Sequence, residues 1–259
     1  MEDTRRFSFK SENSVDLRLP LRNIIYLLIG KEDEGMSMSR PNTRIKAIEL
    51  RMGSFIVYPT LLRDERNLVL VDTGIPGQLD KIRTLLEREG FGLDQLTHVI
   101  ITHQDSDHIG SLPELVQARG NELTVLAHEE TVPYLTGAIP LVRGRTFAPS
   151  VHVHTALKDR DILPLAGGIQ VVFTPGHTPD HMSLYHIPTQ TLIAGDALNS
   201  KDDKLLPFDN YYTLDHSTAL KSIAKLLELD IKKVITYHGN EATHRIKESL
   251  QKIVNTTGQ

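Results

Sequence analysis

His103, Asp105, Asp107 and His108 fall within six residues of one segment, Thr102-His103-Gln104-Asp105-Ser106-Asp107-His108-Ile109-Gly110. Imidazole nitrogen and carboxylate oxygen together suit zinc, manganese or iron. A loop can aim alternate side chains into one cavity, which a regular helix cannot. A polar turn with a helix cap would be the better account of a single His-x-Asp, because Asp and Ser are common in turns and His is frequent on surfaces. Three further segments favour the metal. His177 follows Ile169-Gln170-Val171-Val172, Asp196 follows Thr191-Leu192-Ile193, and His238 follows Val234-Ile235-Thr236. Each time a candidate ligand stands just past a predicted strand. Strands that enter a sandwich from the same side converge their ends on one cleft, so ligands distant in sequence can meet there.

The elements that must do this positioning are legible as alternating and helical apolar patterns. Val99-Ile100-Ile101 reads as a buried strand ending at the ligand loop. Residues 45–50, 55–62 and 68–71 read as a strand meander. Leu79, Ile82, Leu85 and Leu86 recur at helical spacing before a Gly90 cap, and 109–118 reads as a second helix stopped by Gly120. The amides at the start of that helix face the ligand loop and favour negative charge there. A strand at 123–126 and a short helix at 127–135 follow, with His128 as a surface or capping imidazole. Residues 137–149 form a Gly-, Pro- and Arg-rich loop whose Arg143 and Arg145 are expected in solvent. His152 and His154 alternate as on an exposed strand face. Hairpins are predicted from 161–165 with 169–173 and from 182–187 with 190–194. An amphipathic helix at 214–229, capped by Asp215 or Ser217, precedes a strand at 233–236 and a closing helix at 241–254.

Composition narrows the function. The chain has 259 residues, ample for one large core, and a formal net charge of -4, which argues against a nucleic-acid partner because phosphate binding needs clustered Lys and Arg. It contains no cysteine, so any metal must be held by His and carboxylate, and a reducing cytoplasm is the expected location. The apolar run at 24–29 is far shorter than the roughly 20 residues a bilayer requires. Residues 1–43 do not resemble the rest. Lys31-Glu32-Asp33-Glu34-Gly35 before Met36 would have purine-rich codons like a ribosome-binding site, so a natural start at Met36 or Met38 is one expectation. A real arm or dimer contact at 17–29 is the other. The core domain is expected over 44–259.

From Arg44 onward the chain resembles the metallo-β-lactamase superfamily. The resemblance rests on five ordered motifs: Val71-Asp72-Thr73-Gly74, the His103-to-His108 loop, Pro175-Gly176-His177-Thr178, Gly195-Asp196 and Tyr237-His238-Gly239. It implies an α/β (α+β) fold, a four-layer αββα sandwich with a metal cleft along one edge. It further implies two divalent ions, zinc first and manganese or iron as alternatives, one on His103, Asp105 and His177 and one on Asp107, His108 and His238, with Asp196 between them. Asp72, Thr102 and His181 take supporting positions around these ligands. Asp107 would act with a metal-bound hydroxide in catalysis.

The resemblance implies hydrolysis of an ester, lactone, thioester or related bond in a small-molecule substrate. Three departures qualify this. Asp105 replaces a usual His and gives a harder, more anionic first site, within which Asp105→His is expected to keep a working centre. Asn199 stands where acyl-homoserine lactonases carry a Tyr, and Asp180 stands where a Gly is usual. A mononuclear iron oxygenase or other redox enzyme on the same fold is the alternative.

Overall fold

Alternation along the central strands decides the architecture. A computed structural model describes residues 43–256. The expected extension over 1–43, with its Met36 or Met38 start and its 17–29 arm, lies outside the described residues except for Thr43. The first half opens with β1 (Arg44–Ala47), a hairpin of β2 (Leu50–Met52) and β3 (Phe55–Val57), then β4 (Thr60–Arg63) and β5 (Leu68–Val71). Helix α1 (Leu79–Arg88) leads to β6 (His98–Ile101) and the short α2 (Ser106–Ile109). After these come α3 (Leu112–Arg119), β7 (Thr124–His128), the single turn α4 (Val132–Leu135) and β8 (Thr155–Leu157). Six of these strands form one sheet in the order β1-β4-β5-β6-β7-β8, parallel from β5 onward.

The second half contains β9 (Ile162–Leu163), β10 (Ile169–Phe173), β11 (Met182–His186), β12 (Thr191–Ile193), β13 (Asn199–Lys201) and β14 (Asp203–Leu206). It closes with α5 (His216–Leu226), β15 (Lys233–Thr236), β16 (Asn240–His244) and α6 (Ile246–Thr256). Its eight strands order as β13-β14-β16-β15-β12-β11-β10-β9.

Side chains from successive strand positions go to opposite faces. Leu68, Leu70, Val99, Ile101 and Val125 face a core shared with α1 and α3, whereas Val69, Val71, Ile100 and Leu126 face the second sheet. Across that second interface stand Ile169, Val171, Met182, Leu184 and Ile193. The other face of the second sheet, with Val172, Leu192, Ala194 and Val234, packs against Ile223 and Leu226 of α5 and Leu250 and Ile253 of α6. Helix, sheet, sheet and helix are thus layered as the αββα sandwich requires. Strands β5 and β6 are buried on both faces, which is why they read as unbroken apolar runs.

Several local expectations change. The 55–62 strand is interrupted at Tyr58-Pro59, where the Tyr58 amide donates to the Tyr237 carbonyl and proline has no amide to give. The 109–118 helix starts only at Leu112, because the Gly110 amide is drawn to the Gly74 carbonyl. His128 ends β7 instead of beginning a helix, and it is buried rather than on the surface. His152 and His154 lie outside any strand, and the Nδ1 of His154 accepts from the Val125 amide. The start of the predicted 241–254 helix is β16, which pairs with both β15 and β14. Asp215 caps α5 as expected, its carboxylate accepting from the Thr218 amide at 3.0 Å.

Candidate metal centre

Parallel pairing brings the candidate ligands together. Strands β5 and β6 run side by side in the same direction, so Asp72 and the 102–108 loop leave one edge of the first sheet. Strands β12 and β15 do the same in the second sheet and deliver Asp196 and His238. His177 enters from the turn after β10. All seven predicted side chains meet in one cluster. His177 Nε2 lies 3.1 Å from Asp105 Oδ2 and 3.3 Å from Asp196 Oδ2. His238 Nε2 lies 3.4 Å from Asp107 Oδ2 and 3.5 Å from Asp196 Oδ2. His108 Nε2 is 3.4 Å from Asp196 Oδ1, and His103 Nε2 is 3.5 Å from Asp105 Oδ2. Two groups, His103 with His177 and Asp196, and Asp107 with His108 and His238, each hold their donor atoms within 4.8 Å of one another. Asp196 faces both.

The donor set fits a cation. His103 Nε2, His108 Nε2, Asp105 Oδ1 and Asp196 Oδ1 are buried without a hydrogen-bond partner. Each such orphan costs about 1–3 kcal/mol, so four in one cluster call for positively charged partners. Coordination of divalent cations would satisfy them.

The surrounding hydrogen bonds set which nitrogen of His103 and of His108 faces the centre. Asp72 Oδ2 accepts from His108 Nδ1 at 2.8 Å and from the Thr102 hydroxyl at 2.8 Å, and Oδ1 accepts from the Thr102 amide at 2.9 Å. The Thr102 oxygen in turn accepts from His103 Nδ1 at 3.1 Å. With a cation bound, both rings would therefore keep their proton on Nδ1 and present an Nε2 lone pair inward. Asp72 holds this post with φ of 62°, a left-handed conformation sustained by those bonds. His181 Nε2 accepts from the Asp196 amide at 3.0 Å, which leaves its Nδ1 proton for the Thr174 carbonyl at 3.1 Å. Gly195 leaves room for that imidazole, since a Cβ there would meet His181 Nε2 at 2.6 Å.

Electrostatics match the geometry. Burial alone would lower His238, yet Asp196 and Asp107 push it up to about 9. Burial would also lower His108, and the same carboxylates together with Asp72 raise it well above its ordinary value. Burial opposes ionisation of Asp105, but contacts with His103, His177 and Arg143 hold its carboxyl well below the usual range. The cluster attracts positive charge.

Residues 52–238 match the family described as "Metallo-beta-lactamase superfamily". The chain belongs to the metallo-beta-lactamase superfamily. It is 30% identical over 215 residues to the probable metallo-hydrolase YflN of Bacillus subtilis (strain 168), covering 71% of this chain and 79% of that protein. It is 28% identical over 221 residues to an N-acyl homoserine lactonase of Bacillus cereus, covering 71% of this chain and 81% of the relative. A solved metallo-beta-lactamase family protein of Thermus thermophilus shares the fold with a TM-score of 0.63 at 20% identity, over 83% of this chain and 79% of that one. This superfamily member is accordingly an enzyme of the metallo-hydrolase type, and the superfamily is metal-dependent.

Against that superfamily background, three contacts were not legible in sequence. Arg143, expected in solvent, donates from Nε to Asp105 Oδ2 at 2.7 Å. Asp180, the residue in place of a usual Gly, is buried and accepts from Gln104 Nε2 at 3.0 Å, while Gln104 Oε1 accepts from the Val142 amide. The unusual Asp thus anchors the 137–149 loop through Gln104. Tyr237 donates to the Asp107 carbonyl at 2.5 Å, accepts from the Gly74 amide at 3.1 Å and stacks on His108 with ring centroids 3.7 Å apart. Its place beside His238 in the final motif was the available signal. A cavity of about 670 Å3 opens over the cluster, walled by Met52, Phe55, Ile75, Arg143, Asn199 and Tyr212. Among the described residues no helix is long and apolar enough to cross a membrane.

Proposed function

We propose that this chain hydrolyses an ester, lactone, thioester or related bond of a small molecule at a centre of two divalent ions, zinc first and manganese or iron next. The reading is carried by the buried, unpartnered ligand atoms of His103, Asp105, His108 and Asp196, two of which, Asp105 and Asp196, line the cavity. His103, Asp105 and His177 would hold one ion and Asp107, His108 and His238 the other, with Asp196 between them. Bound ions would lower the pKa of water and draw charge from the scissile carbonyl.

The chain's own residues direct the reaction. Asp107 lines the cavity. Burial opposes its ionisation, but His108 and His238 keep it charged, so its carboxylate can take a proton from the attacking water and deliver it to the leaving oxygen or sulfur. Met52, Phe55 and Ile75 offer an apolar wall to the substrate's carbon skeleton, and Asn199 and Tyr212 offer polar groups. Similarity to N-acyl homoserine lactonases puts lactones first among the bonds to test. Asn199 lacks the phenol of those enzymes, while Tyr212 brings one to the same cavity from the 207–214 segment.

Two separate ligand groups weigh against a single iron in a redox enzyme. The net charge of -4 supports a small molecule over nucleic acid as partner, and the lack of cysteine suits a reducing cytoplasm. Elemental analysis of protein purified without added metal, beside the His177→Ala variant, tests the centre. About two equivalents of zinc or manganese per chain, lost with lactone or ester turnover in the variant, support the reading. One equivalent of iron with oxygen uptake would replace it by the redox alternative.

A further inference from the structure

The carboxylate at Asp105 stands where most superfamily members carry a histidine, and it has a partner from a distant loop. Arg143 Nε lies 2.7 Å from Asp105 Oδ2. Its Nη2 donates to the carbonyls of His177 and Tyr212, and its guanidinium carbon lies 5.9 Å from the Tyr212 ring centroid. Three of its five N–H donors are thus engaged, one on Asp105 and two on the His177 turn and the 207–214 segment. On the carboxylate, Oδ2 is shared by Arg143 and His177, whereas Oδ1 is buried with no partner. His103 Nε2 also lies 3.5 Å from Oδ2, so that one oxygen is held between the guanidinium and two of the candidate ligand rings.

Charge gives this geometry its meaning. A ligating imidazole is neutral. An aspartate in its place adds one negative charge, and an arginine at contact distance adds one positive charge that no accessible pH removes. The Asp105 side chain is only 8% exposed, so water screens the pair weakly on that side. Together the two residues sum to the charge of the histidine they replace.

We propose that Arg143 is a positioning residue of the first ion position: it cancels the charge of Asp105 and holds Oδ2, so that the pair serves as one neutral, single-oxygen ligand. This rests on the two-ion reading above. It also reverses the expectation for Asp105→His. A histidine there restores the usual ligand but leaves the guanidinium uncompensated beside two dications, so the substitution impairs the site unless Arg143 changes with it.

The test is a double-mutant cycle on zinc affinity, read by competition with a chromophoric chelator on the full chain. Thermal unfolding of the metal-free proteins accompanies it. Asp105→His is expected to weaken one of the two zinc equivalents by at least about tenfold, and adding Arg143→Gln to recover most of that loss. In the Asp105 background Arg143→Gln is expected to shift the same equivalent by less than about threefold, because lost repulsion and lost positioning oppose each other. Asp105→His with Arg143→Lys keeps the charge and stays weak. Equal factors for Arg143→Gln in both backgrounds would make Arg143 a mere bystander charge or scaffold and overturn the pairing. Asp105→His binding zinc as tightly as the wild type overturns it too, even if the Arg143 variants do not fold. A wild-type chain that binds no zinc overturns the two-ion reading and this inference with it, whereas two equivalents with an additive cycle overturn the pairing alone.

Discussion

Asp72→Asn isolates the contribution of orientation to the centre, because it preserves shape and changes only what the side chain can accept. The amide is also suited to the backbone, since Asn tolerates the left-handed φ of 62° better than most residues. Asp72 accepts three hydrogen bonds, one on Oδ1 from the Thr102 amide and two on Oδ2 from Thr102 Oγ1 and His108 Nδ1. An amide has a single oxygen. Turned toward Oγ1 and Nδ1 it keeps two bonds and sets its NH2 against the Thr102 N–H; turned the other way it opposes two donors. At least one charge-assisted bond is lost, about 1.5–3 kcal/mol, and the His108 ring is no longer polarised by a carboxylate. Urea unfolding of the metal-free protein should show that loss, and chelator competition should show metal affinity falling about 10–100-fold. Affinity within about twofold of wild type, with stability lowered as expected, would mean that Asp72 braces the fold without tuning the ligands.

Other perturbations separate structure from chemistry. His177→Ala should lower both metal occupancy and turnover, whereas His128→Ala should leave metal binding intact while costing about 1–2 kcal/mol in denaturant titration, because His128 is buried and stacked on Phe173 at 4.1 Å. Equal metal loss in the two variants would overturn the ligand assignment. Gly110→Ala would set a Cβ 2.3 Å from the Ile75 carbonyl carbon and the Pro76 nitrogen, backbone atoms that cannot step aside, so a loss of at least about 3 kcal/mol is expected; an unchanged unfolding midpoint would refute the close approach. Burial pushes His186 below its ordinary value, only partly offset by its bond to the Ala166 carbonyl, so the native ring stays neutral while the unfolded chain takes up the proton. Stability should be complete above about pH 6.5 and fall as pH drops, and His186→Gln, which does not titrate, should flatten that slope. An identical slope in the variant would rule His186 out as its source.

The sequence made the strands legible before their partners. Every candidate ligand stood directly after an apolar run, and parallel pairing of β5 with β6 and of β12 with β15 turns that one-dimensional order into a shared edge. Helix limits were less legible because hydrogen bonds from elsewhere overrode local pattern. Residues 241–244 read as the start of a helix, but β14 and β15 both claim their backbone. The alternation of His152 and His154 looked like a strand, yet His154 uses its ring and its amide on Val125 from a loop. Arg143 was least legible of all. Nothing near it in sequence names Asp105, which lies 38 positions away, and only folding of the loop reveals the contact.

The hydroxyl of Tyr237 reaches back across 163 positions to the Gly74 amide and across 130 to the Asp107 carbonyl. Contacts of such separation pay their loop-closure entropy early and are rewarded only late in folding. The cleft is therefore expected to be among the last parts of the molecule to assemble. A chain halted with only its first sheet formed would display His103, Asp105, Asp107 and His108 without the facing residues that complete a cage. On that order of assembly, tight capture of ions would wait until both halves have docked.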